Sequence, residues 1–365
     1  MKSIVRVIAL VVVFCGIMSV ATAGETPSFS LAWSEYPSWS AFGVASEMGL
    51  IDGKQGALGP IEKKWGVDIV LKEADYDPCL MLYGAGQCDA VCITNMDALS
   101  PSLRVPSVMI LPTSTSYGAD ALIVSKDITD VKQVRGKKVY GLAKTVSEYC
   151  FVRNLELLGE KETDYEFSNM DPGAAALAMQ QKQKGYDAIV VWNPFVLETL
   201  NKRKDARVLF DSTKIPGEII DSVVVSQKSL DKPGGREFAC AVIDAFYAIN
   251  KRMAAPATRD DTLVALGEKF SHLNLDSMKK VVKQTVFYST PDSALALFGG
   301  GKSFPTDDVK TERKLKDIMD GVVKFCVSHE IVPETPKVGY GTKKDAPDAA
   351  LRFDPSYIKE VVNKK

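Results

Sequence analysis

The chain has 365 residues, 46% of them hydrophobic, with 45 basic and 46 acidic side chains for a net charge of −1. That length and apolar content favour two folded domains over one, and the near-neutral balance excludes a nucleic-acid reading, which calls for a clearly basic face. His272 and His329 are the only histidines and no C-x2-C pair exists, so neither a zinc site nor any cofactor is expected.

The N-terminus carries Lys2 and Arg6, an apolar run over 7–20, and Ala21-Thr22-Ala23. This is the form of a secretory signal peptide, residues 1–23, cleaved after Ala23. The run is short for a membrane span, and Phe14 precedes Cys15 where a lipoprotein requires a small residue. A soluble periplasmic protein is the expectation. Disulfides are then chemically possible. Cys88 and Cys92 lie too far apart along one strand to bridge each other, while a Cys79–Cys88 link is conceivable. For most of Cys79, Cys88, Cys92, Cys150, Cys240 and Cys326, burial as free small hydrophobes is expected.

Phe29, Leu31 and Trp33 alternate as in a strand with one buried face. Pro37 ends it, Ser38 or Ser40 can cap a helix, and Trp39, Phe42, Ala45 and Met48 recur at helical spacing. A glycine-spaced loop at 53–59 leads to a strand at 67–71. Asp77-Pro78 reads as a helix start, with a capping carboxylate before a first-turn proline. Residues 89–93 form a buried strand followed by 94–99, so strand, helix and strand imply parallel connections. Two strand-like runs, 108–111 and 121–124, flank a polar loop that can cross between lobes.

The second half restates the first. A strand at 138–142 precedes Thr145-Val146-Ser147-Glu148, which has capping-box form. Asp171-Pro172 opens another helix, and 187–191 is another buried strand ending in Trp192-Asn193-Pro194. Asp89 to Asn95 and Asp187 to Asn193 have the same spacing, which points to lobes of like topology. Strands at 207–210 and 219–225 provide a return crossover. Phe238, Val242, Ala245, Phe246 and Ile249 mark an amphipathic helix. The lysine-rich tail after Pro333 reads mostly as surface, with Phe353 and Tyr357 as anchors.

Two lobes, two crossovers and a signal peptide describe an α/β fold of periplasmic-binding-protein type II, with the ligand cleft between lobes. Lobe 1 is expected to take 24–115 and 224–300, lobe 2 116–223, and 301–365 to pack on lobe 1. The strand-loop-helix of 33–43, the stretch Cys88-Asp-Ala-Val-Cys-Ile-Thr-Asn-Met-Asp-Ala-Leu99 and Tyr117-Gly-Ala-Asp-Ala-Leu-Ile-Val124 carry a closer likeness. Through them the chain resembles the nitrate/sulfonate/taurine family of ABC-transporter substrate-binding proteins over residues 29 to about 300. Thr94-Asn95-Met96-Asp97-Ala98-Leu99 with Gly118, Asp120 and Ala121 is most similar to the branch found beside urea-carboxylase genes, for which urea- or guanidine-like ligands are proposed. The resemblance implies a monomer that hands a small molecule to a membrane permease.

Six loops fall at the cleft: 34–39, 94–97, 115–120, 144–148, 169–171 and 192–193. They carry Glu35, Asp97, Asp120, Glu148 and Asp171 against Lys144 alone. An anion site wants arginine, lysine or helix N-termini, so the acid excess favours a ligand that donates hydrogen bonds. The candidate ligand-binding residues are Glu35, Tyr36, Trp39, Asn95, Asp97, Tyr117, Asp120, Glu148, Trp192 and Asn193. Glu35 and Asp120 are expected to accept ligand N–H groups, with Trp39, Tyr117 and Trp192 as walls. Glu148, Asp171, Asn193 and Asp97 also have readings as helix caps. No Ser/His/Asp or Cys/His set converges, so catalysis is not expected. Taurine, alkanesulfonate, nitrate or a thiamine-pyrimidine precursor are alternative ligands. An enzyme of cofactor-precursor biosynthesis on the same fold, or a periplasmic sensor, are alternatives of another class.

Overall fold

In the computed structural model, residues 25–301, 303–306, 309 and 313–364 are described. The signal-peptide reading of 1–23 lies outside them. The strands divide in chain order. β1 (Ser28–Trp33), β2 (Asp68–Glu73), β3 (Ala90–Thr94) and β4 (Ser107–Ser116) come first. β5 (Asp120–Ser125), β6 (Lys138–Gly141), β7 (Glu166–Asn169), β8 (Ala188–Trp192) and β9 (Ala206–Asp211) follow. β10 (Ile220–Ser226), β11 (Thr285–Phe287), β12 (Val338–Tyr340) and β13 (Leu351–Phe353) close the series.

Two sheets result. One has eight strands in the order β12-β13-β4-β10-β3-β1-β2, with β11 on β4; the other has the order β7-β6-β8-β5-β9. The stretch β2-β1-β3-β10-β4 of the first matches the whole of the second, strand for strand. In each, the first parallel strand sits between the next two, and an antiparallel strand lies beside the third. The equal spacings noted in the sequence reflect this shared topology. The apolar face of the helix Gly235–Ala254 is buried against the first sheet's strands, and the Phe238 ring stacks on Phe29 with centroids 4.9 Å apart.

The lobes meet through two short crossings. β4 leads to β5 through 117–119, and β9 returns to β10 through 212–219. β10 belongs to the first sheet from Ile220 on, where Asp221 and Ser222 already pair with β3 and β4. The crossings are tied together: Ser212 Oγ pairs with Ser116 Oγ at 2.7 Å and accepts the Gly118 N–H at 2.7 Å. Gly118 holds φ +95°, which a side chain would strain.

Two local expectations change, and the one of buried free cysteines holds. The helix expected at Asp77-Pro78 begins at Tyr76, with Asp75 ahead of it and no side-chain cap; a proline in the first turn has no N–H bond to lose. The six cysteines after Ala23 are buried and free, Cys79 and Cys88 included. The tail is not mainly surface: β13 pairs in parallel with β4, β12 adds to β13, and Phe353 stacks on Tyr340 at 5.6 Å. An open sheet edge beside β4 draws this segment in, since unpaired backbone groups seek a ladder. Phe353 is 1% exposed, so Phe353→Ala should cost about 3–5 kcal/mol in urea unfolding. A loss below about 1 kcal/mol would return the tail to the surface.

Candidate functional site

The carboxyl ends of β1 and β3 face the second lobe, the place where open α/β sheets hold ligands. A small cavity lies there, lined by Tyr36, Trp39, Tyr76, Thr94, Asp120, Val146, Trp192, Ile219 and Asp221. Every one of these residues is buried, so the lobes are closed around it. Tyr36 and Trp39 come from the turn after β1. Tyr76 opens the helix Tyr76–Gly84, and Thr94 ends β3. Asp120 and Trp192 come from the second lobe, where they are cross-strand partners in β5 and β8. Asp221 stands in β10 between Thr94 of β3 and Ser114 of β4.

The walls are aromatic. Trp39 stacks on Tyr76 at 5.5 Å and 12°, and Tyr36 tilts against Trp39 at 4.8 Å. Tyr76 meets the edge of Trp192 at 5.7 Å, which carries the wall from one lobe to the other. Tyr76 is fixed from behind, because its hydroxyl donates to Asp97 Oδ2 at 2.7 Å and accepts the Thr94 N–H at 3.2 Å.

The charges are one-sided. Asp120 and Asp221 are 3% and 2% exposed, and among the described residues no ion pair reaches either. Burial pushes the Asp120 carboxyl up to about 7, with Asp97 adding to the rise and a hydrogen bond from Ser116 opposing it. Burial raises Asp221 well above the usual carboxylate range; Ser114 Oγ donates to it at 2.5 Å, and Asp120 adds repulsion. Trp39 Nε1 is buried with no hydrogen-bond partner, and the buried Tyr36 hydroxyl faces Asp221. The strong cations nearby are engaged elsewhere. Glu218, in the return crossing, accepts from Arg153 Nε at 3.0 Å, from Tyr149 at 2.5 Å and from Arg313. Despite burial, the hydrogen bonds from Arg153 and Tyr149 hold its carboxyl below the ordinary range.

Of the residues chosen from sequence, Tyr36, Trp39, Asp120 and Trp192 line this cavity. Glu35 does not: it is exposed at the outer cleft and accepts from Ser271 Oγ at 2.9 Å. The step after Trp33 turns its side chain outward while Tyr36 and Trp39 turn in. Asp97 is buried behind the wall, bonded to Tyr76 and Thr94, and the backbone N–H of Val146 faces it from the second lobe. Burial pushes its carboxyl up to about 6, against those hydrogen bonds. Asn95 is a brace: it accepts the Ile220 N–H at 3.0 Å and donates to the Glu218 carbonyl at 3.1 Å. Tyr117 packs edge-on against Phe304, and Asn193 donates to Gln284 at 2.9 Å. Glu148 accepts the Lys144 N–H at 2.5 Å, and Lys144 is exposed. Asp171 caps the helix Pro172–Gln180.

Tyr76 and Asp221 were missed. The Asp77-Pro78 pattern leaves Tyr76 just ahead of the expected helix, where nothing in the sequence marks it. A lone acid inside the apolar run 219–225 was the available signal for Asp221, because a charge in a buried strand requires a partner. An outer cleft, lined by Glu35, Asp75, Asp77 and Asp171 among others, adjoins the cavity across Tyr76 and Trp192. Among the described residues no cluster of His, Cys, Asp and Glu is arranged to hold a metal, and no helix is long and apolar enough to cross a membrane.

No family model matches the chain, and no curated protein matches it in sequence. Solved structures do match in fold. The periplasmic aliphatic sulphonate binding protein of Escherichia coli superposes with a TM-score of 0.63 at 17% identity, over 85% of this chain and 90% of that one. The alkanesulfonate-binding protein of Xanthomonas axonopodis pv. citri, bound to MOPS, gives 0.64 at 14%, over 90% and 100%. A Candida albicans protein described as having the generic periplasmic binding protein fold gives 0.59 at 13%, over 93% and 95%. The chain has the periplasmic-binding-protein fold.

The buried acids fix the sign of a pH effect. A carboxyl whose pKa rises on folding binds more protons in the folded state, so its contribution is intact below its unfolded pKa and is lost as pH rises towards its folded one. For Asp120 that window runs from 3.8 to about 7. Asp120→Asn should therefore stabilise the ligand-free protein at pH 8 by about 1–4 kcal/mol and by progressively less towards pH 4. Thermal unfolding across that range measures it, and a gain that grew on acidification would contradict the assignment.

Proposed function

We propose that this chain is the solute-binding component of an ABC importer. It captures a small nitrogen-containing ligand, guanidine- or urea-like, between its lobes and delivers it to a membrane permease. The ligand class rests on one observation: Asp120 and Asp221 share a closed cavity with no cation to balance them. Two buried carboxyls with hydroxyl donors but no cation call for a ligand that brings charged or polar N–H groups. A planar amidine or urea can donate in its plane to the carboxylates and lay its face on Tyr36, Trp39 or Tyr76.

The importer role is supported by the fold and by the sulfonate-binding proteins that share it. Crossings as short as 117–119 and 212–219 suit a hinge that opens and closes the cleft. The chain is read as a monomeric carrier and not as an enzyme: His329 is engaged by Glu162 at 2.9 Å, and neither histidine lines the cavity.

A sulfonate is the second reading, favoured by those same proteins and by the unpartnered Trp39 Nε1–H, which can only donate. Against it, the N-terminus of the helix Val146–Leu157 already faces the Asp97 carboxyl. Arg153, the near guanidinium, is held by Glu218.

Thermal unfolding against millimolar guanidinium, urea, taurine, an alkanesulfonate and nitrate separates the readings. A ligand at 100 times its Kd should stabilise by about 2.7 kcal/mol. Stabilisation by guanidinium or urea is expected, at least about tenfold weaker in affinity for Trp192→Ala and Asp120→Asn and nearly unchanged for Glu35→Gln. Stabilisation by sulfonates alone would overturn the proposed ligand.

A further inference from the structure

The two cavity acids belong to different lobes. Asp120 opens β5 of the second sheet, and Asp221 stands in β10 of the first. Both face one closed space, so whatever balances their charge also joins the lobes. The titratable groups around them are all acids. Tyr36 lies beside both, Asp97 adds its charge to Asp120, and Cys150 faces Asp120 from the helix Val146–Leu157. Cys92 of β3 and Tyr288, beyond β11, face Asp221. Among the described residues no lysine, arginine or histidine lines the cavity.

We propose that the Asp120–Asp221 pair selects a monocation of guanidinium type over its neutral isostere, by exchanging the cation for a proton held between the lobes. This rests on the nitrogen-ligand reading of the cavity. Without ligand, closure around two carboxylates requires at least one to be protonated, as in any close pair of buried carboxyls. When the cation enters, it replaces that proton as the balancing charge. The O–H bond of one carboxyl breaks, its proton leaves to solvent, and the net charge of the site is unchanged. A neutral urea cannot make this exchange, because it would leave the carboxylates uncompensated or the proton in place. Burial that holds Asp120 protonated up to about 7 puts the exchange near neutral pH.

The sign follows directly. The cation binds with the Asp120 carboxyl ionised, so its affinity rises with pH while that acid still holds its proton and levels off once the proton is gone. Isothermal titration of the full chain with guanidinium chloride, and separately with urea, tests this between about pH 5.5 and 8.5, in paired buffers of different ionisation enthalpy. Expected are an affinity for guanidinium that climbs by up to about tenfold per pH unit below neutrality, release of up to about one proton per ligand, and urea binding at least tenfold weaker and flat with pH. Asp221→Asn should weaken guanidinium at least tenfold and reduce the proton release, while Glu35→Gln changes neither. Guanidinium binding that releases no proton and ignores pH, in the unaltered protein, would overturn the exchange but leave the nitrogen-ligand reading standing. Tighter binding of urea than of guanidinium would overturn the selectivity. Binding of taurine with neither nitrogen compound would overturn both.

Discussion

A carboxylate removed from water without a partner is among the costliest groups a fold can bury. This chain buries two in one cavity, and much of the surrounding structure bears on that cost. Asp120 and Asp221 approach from opposite lobes at the sheet ends where open α/β sheets place ligands. Ser116 and Ser114 supply hydroxyl donors to them, which soften the penalty without cancelling it. The remaining compensation must be a proton or a bound positive group. The charges that make the empty closed form expensive are the ones a bound positive group would balance.

The aromatic wall is held by polar contacts that lie mostly behind the cavity. Asp97 anchors the Tyr76 hydroxyl, and Thr94 fixes both. Asn95 clamps the start of β10 and so positions Asp221 one residue on. Ser212 ties the two crossings to each other. Asp97 and Asn95 thus matter as supports for Tyr76 and Asp221. A binding surface holds its geometry only when such supports are in place.

The fold matches that of sulfonate-binding proteins over most of the chain, yet the cavity has an acid pair where an anion site would have cations. Fold and site are separable: the doubled α/β topology sets where a ligand sits, and a few side chains set its charge. In this chain the guanidinium of Arg153 is diverted to Glu218 in the return crossing, and a helix N-terminus is turned to Asp97.

The sequence by itself determined the repeated strand-helix order, the two crossings, the amphipathic helix of 235–254 and the aromatic-acid character of the cleft. Each of these is written in local periodicity or in the spacing of residues along the chain. It also pointed to Tyr36, Trp39 and Trp192, which follow or end strands, and to Asp120, which opens the strand after a crossing. Three things were decided only by tertiary structure. The strand after the return crossing joins the first sheet along its whole length, because its hydrogen bonds go to β3 and β4, distant in sequence. The tail becomes two strands, because the sheet edge it completes was built hundreds of residues earlier. The partner of Asp120 is Asp221 and not Glu35, because only the closing of one lobe on the other decides which carboxylates share a space without water.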